Sequence, residues 1–494
     1  MDSSEASQHL FGVDIHAPSA QEAIARVRRE TGLDLSGSIS VGDFFDLIPG
    51  GKTAPPRADV VIGNPPFVRY QDFSGAPRAR SRQAALAAGV NLPGLASSWA
   101  AFVAHAATFL RPGGRLGLVL PAELLSVNYA AAVRRFLLQR FRSVRLILFE
   151  ERVFPGVMEE VVLLLAEGDG PCDRFDLMQV RDIGALPNLG QPTWTPPPAA
   201  GKWSGLILPD EVGNAIAELE SSGSFQTLGD WGTVGLGAVT GGNNFFCLSE
   251  SAAQEVKLDR ADLLEISPPG SRHLWSLTFT HDDWEDLRRK GARVYLFFPH
   301  EARLADASAL YVGRGEREGR DNTYKCRKRR PWWKVPVVPS PDLFLTYMNH
   351  QAPRLIANSA AVTHVNSVHG VRLPDDLRSL GQAVLPLAGL SSGTLLGAEL
   401  VGRAYGGGLL KLEPREALRL PVPKPETLEA ANPALARVSN AVATAVAHGD
   451  LREAATLVDA ALLRDTIGVS REAIRGLALG RELMFARRST RGRS

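Results

Sequence analysis

Along the first third of the chain, apolar residues fall into short continuous runs that alternate with stretches of helical spacing. Leu10-Phe-Gly-Val-Asp-Ile15 and Ile39-Ser-Val-Gly-Asp-Phe44 read as strands with an acid near the end, and Ala20 to Glu30 reads as a helix between them. Val60, Val61 and Ile62 suit a parallel strand buried on both faces, and Gly63 lets the chain leave the sheet at its carboxyl edge. Trp99, Phe102, Val103, Ala106, Phe109 and Leu110 recur at three- and four-residue steps, which predicts an amphipathic helix stopped by Arg111-Pro-Gly-Gly114. A strand over Leu116 to Pro121, a helix carrying Val133, Phe136, Leu137 and Phe141, and strands over Val144 to Phe149 and Val161 to Ala166 follow. The segment from Glu150 to Glu160 is too short for a crossover helix, so the last two strands should pair antiparallel. The succession predicts an α/β class.

Beyond residue 170 the pattern loosens. Residues 171–224, with Pro187, Pro192 and Pro196-Pro-Pro198, read as a Pro-rich linker region after a first domain over 1–170. Short strands and turns over 225–425 suggest an α+β domain, and Leu451, Ala454, Leu457, Leu462 and Leu463 mark a helical tail over 430–494 that ends in the basic run Arg487 to Arg493. With 494 residues, 45% of them hydrophobic, the chain can build two or three cores. A net charge of only +2 does not announce a polyanion partner, so any nucleic-acid footprint must be local. Cys172, Cys247 and Cys326 lie far apart with no metal-type spacing, which suits a reduced compartment and predicts no metal site. No apolar run approaches membrane-spanning length and the amino terminus lacks a charged leader region, so the expected location is the cytoplasm.

The chemistry concentrates at Asn64-Pro65-Pro66-Phe67. The Asn64 side-chain oxygen and the Pro65 carbonyl are acceptors, and two prolines stiffen the loop while removing competing donors. Such a loop can accept both hydrogens of a nucleobase amine while Phe67 stacks on a base flipped out of a duplex, after which the amine can attack a methyl sulfonium. The plain alternative is an ordinary turn ending a strand. Asp14 and Asp43 stand where nucleotide-binding α/β folds place acids, which makes Asp14 a candidate for ribose hydroxyls and Asp43 for an adenine amine, unless both are solvated caps. In the second domain Lys325, Arg327, Lys328, Arg329, Arg330 and Lys334 interleave with Trp332 and Trp333, a mixture suited to phosphate contacts beside aromatic packing or, more blandly, a solvated loop over core tryptophans. Gly235-Leu-Gly237-Ala-Val-Thr-Gly-Gly242 lacks the spacing and following helix of a dinucleotide loop and reads as a turn. No Walker loop, nucleophile elbow, kinase signature or zinc-protease motif occurs.

Strand-acid, Gly-Asp-Phe, Asn-Pro-Pro-Phe, Arg-Pro-Gly-Gly and Val153-Phe-Pro155 before a final strand together resemble the gamma-class, TaqI-like adenine-specific DNA methyltransferases over roughly residues 8–168. Tyr324, the Arg-Pro-Trp-Trp run and Tyr405 to Pro414 are more loosely similar to such enzymes' target-recognition domains. The resemblance implies a Rossmann-like methyltransferase sheet and a C-terminal α+β target-recognition domain. It implies S-adenosylmethionine as cofactor, held by Asp14, Ile15, Asp43, Phe44 and Asn64, with Asn64, Pro65, Pro66 and Phe67 catalytic and Phe67 and Phe154 stacking on the flipped adenine. In that family a strand and Gly-rich turn, lying between the strand ending at Asp14 and the one ending at Gly63, cradle the methionine part of the cofactor. No such segment precedes Asp14, so the first strand of the sheet is expected to be missing, whether donated by another polypeptide, encoded upstream of the start codon, or lost with the cofactor site. The implied partners are double-stranded DNA and either a polypeptide supplying that strand or a restriction nuclease. The alternative is a DNA-recognition protein of a restriction or phage-defence system, split from or without its catalytic function.

Overall fold

The computed structural model describes residues 9–51, 55–68, 71–94, 96–151, 153–154, 160–199, 201–299 and 304–493. The chain divides into two units, 1–207 and 208–494.

In the first unit, β1 (Gly12–Asp14) and β2 (Ile39–Val41) pair in parallel and are joined by the helix Ala17–Thr31. A separate five-stranded sheet has the order β3-β4-β6-β5-β7, with β3 (Ala58–Gly63), β4 (Leu110–Pro121), β5 (Ser143–Phe149), β6 (Val161–Glu167) and β7 (Arg174–Val180). β3 runs parallel to β4, and β5 and β6 are antiparallel, as the short connection requires. The helix Ser98–Thr108 ends two residues before β4 begins, so the chain stop is Thr108. Arg111 to Gly114 instead bulge from β4 opposite Asp59, with Gly113 at φ 75°. The core lies between sheet and helices: Leu116, Leu118 and Leu120 of β4 meet Trp99, Val103 and Ala107. β7 was not foreseen; it extends the sheet past residue 170 by parallel pairing with β5, so the first unit takes in much of the expected linker.

The second unit holds a four-stranded sheet (Cys247–Leu248, Tyr295–Phe297, Leu263–Ser267, Thr363–His364) and a five-stranded one (Thr278–Phe279, Leu355–Asn358, Leu343–Thr346, Val368–Arg372, Thr233–Leu236). Its helices Asp210–Ser221, Asp375–Ala388, Ser392–Val401, Pro425–Ala447, Leu451–Asp459 and Arg471–Arg493 share a second core. Residues 430–494 are therefore integral to this unit: Leu451, Ala454, Leu462 and Leu463 are buried, and Arg488 forms a buried ion pair with Glu399 at 2.9 Å. Both sheets and helices occur in each unit, giving an α/β fold with mixed sheets followed by a separate C-terminal domain. Among the described residues no single helix is long and apolar enough to cross a membrane.

Candidate active site

β3, β4 and β5 point the same way, so the residues after them share one sheet edge. β3 delivers Asn64 to that edge. Its side chain is exposed and makes no hydrogen bond to a described residue. The prolines that follow differ in role, since Pro65 is buried and Pro66 exposed. The Pro66 carbonyl accepts from Ser98 Oγ, which in turn accepts from Val68 N–H at 3.0 Å, while Ser98 N–H donates to Val68 O at 3.1 Å. Ser98, on the first turn of the helix Ser98–Thr108, thus clamps the end of the loop. Phe67 is half-buried against the helix layer.

The turn after β2 is fixed as firmly. Asp43 Oδ1 accepts from Phe45 N–H at 3.0 Å, and Oδ2 accepts from Arg80 Nε at 3.1 Å and Nη2 at 2.9 Å. Phe44 stacks on Phe102 at 5.5 Å and Phe109 at 5.3 Å, and its carbonyl accepts from His105 Nε2 at 3.0 Å. Burial holds the His105 imidazole below its ordinary pKa, so it stays neutral and serves as a fixed donor. One helix therefore anchors the Asn64 loop at its first turn and the Asp43 turn near its last. Asp14 ends β1 exposed; Oδ1 accepts from His16 N–H at 2.8 Å, Oδ2 has no partner among the described residues, and Ile15 beside it is exposed.

Phe154 lies between β5 and β6, 37% exposed and with no ring contact to a described residue. Pro155, part of the same motif, lies outside the described residues. After β4 stands a network that sequence reasoning missed: Trp99 Nε1 donates to Tyr129 Oη at 3.0 Å, which donates to Glu123 Oε2 at 2.6 Å. Burial and the Glu123 carboxylate push the Tyr129 hydroxyl well above its usual pKa, keeping it a donor. Ser98, Arg80, His105 and Tyr129 act through contacts 30 or more residues away, and no local pattern announces them. A serine pair before a helical run was the available signal for Ser98.

In the second unit the basic stretch divides. Trp333 is buried in the core, and Trp332 packs on Phe245 at 5.6 Å with Nε1 donating to Glu316 at 3.2 Å. Arg329 donates to the carbonyls of Thr240, at 2.8 Å, and Val239. Trp333 is thereby turned into the core and not toward a DNA surface, whereas Trp332 and Arg329 are half-buried. Lys325, Arg327, Lys328, Arg330 and Lys334 are exposed. Among the described residues no cluster of His, Cys, Asp or Glu could hold a metal ion.

More than half of the chain, residues 200–463, matches the model of the type II methyltransferase M.Eco57I C-terminal domain, and residues 50–154 match the Eco57I restriction-modification methylase. The chain belongs to this family. Among curated relatives, the type II methyltransferase M.XamI of Xanthomonas campestris pv. amaranthicola is 27% identical over 76% of this chain and 70% of its own length. M.AccI of Acinetobacter calcoaceticus is 24% identical over 73% of this chain and 68% of its own. The type IIL restriction-modification enzyme MmeI, solved in complex with DNA, shares the fold at a TM-score of 0.57 and 12% identity, over 96% of this chain and 66% of its own. The general function of an Eco57I-type methyltransferase, S-adenosylmethionine-dependent DNA methylation, applies to the chain.

Proposed function

We propose that the chain is a site-specific adenine methyltransferase of the gamma class, acting on the exocyclic amine of a base flipped out of double-stranded DNA. The observation that carries this reading is Asn64, exposed and unengaged on a loop that two prolines and Ser98 hold rigid. Asn64 Oδ1 and the Pro65 carbonyl accept the two amine hydrogens and so raise electron density on the nitrogen. Pro66 fixes the loop, and Phe67 and Phe154 bear on the faces of the base.

S-adenosylmethionine supplies, when bound, an electrophilic methyl group. The acceptors present suit its nucleoside part. Asp14 Oδ2 is available to a ribose hydroxyl, and Ile15 offers apolar surface beside it. A carboxylate has about four acceptor positions, and the three bonds made by Asp43 to Phe45 and Arg80 leave room for an adenine amine beside Phe44. The exposed cations of residues 325–334 would contact DNA phosphates.

We infer further that an additional strand, pairing between β1 and β3, completes a Rossmann-like sheet. Among the described residues β1 pairs only with β2, and β3 pairs on one edge only, with β4. A strand between them gives the order β2-β1-x-β3-β4-β6-β5-β7, and its following turn falls at the same edge as Asp14 and Asn64.

The test is host DNA from cells expressing the chain with its genomic neighbours, digested to nucleosides. N6-methyladenine is expected, abolished in Asn64→Ala and reduced roughly 10- to 100-fold in Ser98→Ala, which only shifts the loop. Methylcytosine in its place, or undiminished methylation in Asn64→Ala, overturns the reading.

A further inference from the structure

Several arginines of the second unit are neutralised by carboxylates. Arg288, Arg314, Arg320, Arg378, Arg403, Arg452 and Arg488 each meet a carboxylate within 4 Å. Residues 324–334, Tyr-Lys-Cys-Arg-Lys-Arg-Arg-Pro-Trp-Trp-Lys, concentrate unpaired charge instead: they contain no acid, and none of their exposed cations forms an ion pair with a described residue. Unscreened charges crowded on one segment repel each other, so the segment is held by something other than charge.

The holding is visible on its inner side. Cys326 and Trp333 are buried, and Trp332 lies against Phe245 and Phe246. The Arg329 guanidinium lies over Phe246 and bonds the Val239 and Thr240 carbonyls, riveting the segment to the glycine loop that follows the strand Thr233–Leu236. That loop is ordered in its own right: Thr240 Oγ1 donates to Asn243 Oδ1 at 2.6 Å and accepts from Gly242 N–H at 3.1 Å. Gly241, at φ 86°, lies so close to the segment that a Cβ there would stand 3.0 Å from Lys325 Cβ and 3.4 Å from Cys326 Sγ. On the outer side Tyr324 is 65% exposed, with Lys325 Nζ 5.8 Å and Lys328 Nζ 5.9 Å from its ring centroid. A rigid, acid-free row of cations around one exposed ring fits a polyanion that also offers apolar faces.

We propose that the segment Tyr324 to Arg330 and the loop Thr240 to Asn244 form one composite DNA-contact surface, with Arg329 as its positioning residue. Lys325, Arg327, Lys328 and Arg330 neutralise phosphates, and Tyr324 lays its ring on the sugar-base edge between them. Arg329 touches no phosphate; it sets the distance between segment and loop. This deepens the DNA-methyltransferase reading and rests on it.

The experiment measures binding of the full chain to a duplex oligonucleotide by fluorescence anisotropy over a salt series, without methyl donor. Each phosphate contact contributes roughly 0.9 to the slope of log affinity against log salt, so Lys325→Ala and Lys328→Ala should each lower that slope by about one, and Lys325→Arg should leave it unchanged. Tyr324→Ala should weaken binding about tenfold while Tyr324→Phe binds normally. Arg329→Lys keeps the charge but lacks the planar fork that spans two carbonyls, and should weaken binding with an unchanged thermal midpoint. Wild-type slopes in both lysine variants overturn the surface and leave the methyltransferase reading intact. Failure of the unaltered chain to bind any duplex overturns both. Normal binding by Arg329→Lys removes the positioning role.

Discussion

His364 shows how one buried side chain makes stability depend on pH. Its ring is 2% exposed, neither nitrogen has a partner among the described residues, and a Cβ on Gly237 or Gly370 would stand 2.6 Å from it. Desolvation pushes its pKa down to about 4, with the nearby His369 and Arg372 acting in the same direction. Above the ordinary value of 6.5 both folded and unfolded chains carry the neutral ring and stability is flat. Between 6.5 and 4 only the unfolded chain takes up the proton, so stability falls with falling pH, by about 2 kcal/mol at pH 5. Asp459, raised by burial to about 6, titrates in the same range and moves stability the opposite way. A comparison of variants separates the two. His364→Phe should gain about 2 kcal/mol relative to the unaltered chain between pH 7.5 and pH 5, read from urea midpoints. A difference that does not change with pH would mean that the histidine titrates normally.

Two helices of the second unit give the same substitution opposite signs. Gly480, in Arg471–Arg493, lies so close to Asp210–Ser221 that a Cβ would stand 2.5 Å from Val212 Cγ1 and 3.1 Å from Leu396 Cδ2, whereas Gly213 faces open space. Alanine improves helix propensity by about 1 kcal/mol at either site, and overpacking costs about 1–3 kcal/mol at Gly480 alone. Gly213→Ala should therefore raise the thermal midpoint and Gly480→Ala lower it; midpoints that rise together would refute the close approach. Neither glycine stands out in the sequence, because the contact that distinguishes them is more than 200 residues away. The same reason separates what could be read early from what could not. β3, β4, β5 and β6 are apolar runs whose period speaks for itself, and Asn64 follows one of them. β7, Arg-Phe-Asp-Leu-Met-Gln-Val, carries a buried Asp176 paired with Arg145 at 2.8 Å, so a polar residue sits inside the sheet and the hydrophobic pattern fails. Trp333 turns into the core although it follows a basic run, because charge on neighbouring residues says nothing of which way a ring turns.

At the scale of the molecule the open strand edges are the feature that local reasoning and the fold both bring forward. Gly12 N–H donates to Ser38 O at 3.0 Å and Asp14 O accepts from Gly42 N–H at 2.9 Å, so alternation turns the main-chain groups of Val13 and Ile15 away from β2. On β3, Ile62 is 80% and Val60 54% exposed, in a strand whose composition suits burial on both faces. Backbone groups and aliphatic surface left open together are satisfied by another extended segment and by little else. If an additional strand completes the sheet, amide hydrogens of Phe11 to Ile15 and Ala58 to Gly63 should exchange quickly in the chain that lacks it. They should slow by about tenfold or more in the methylation-competent form, since paired edges open only with the sheet. Val60→Lys with Ile62→Lys places charge on exposed positions, so the chain should keep its own melting behaviour, yet an edge bearing lysines resists a new strand and methylation should be lost. Full methylation by the double-lysine chain, or an active form whose β1 and β3 amides still exchange freely, would show that the two edges stay open while the enzyme works.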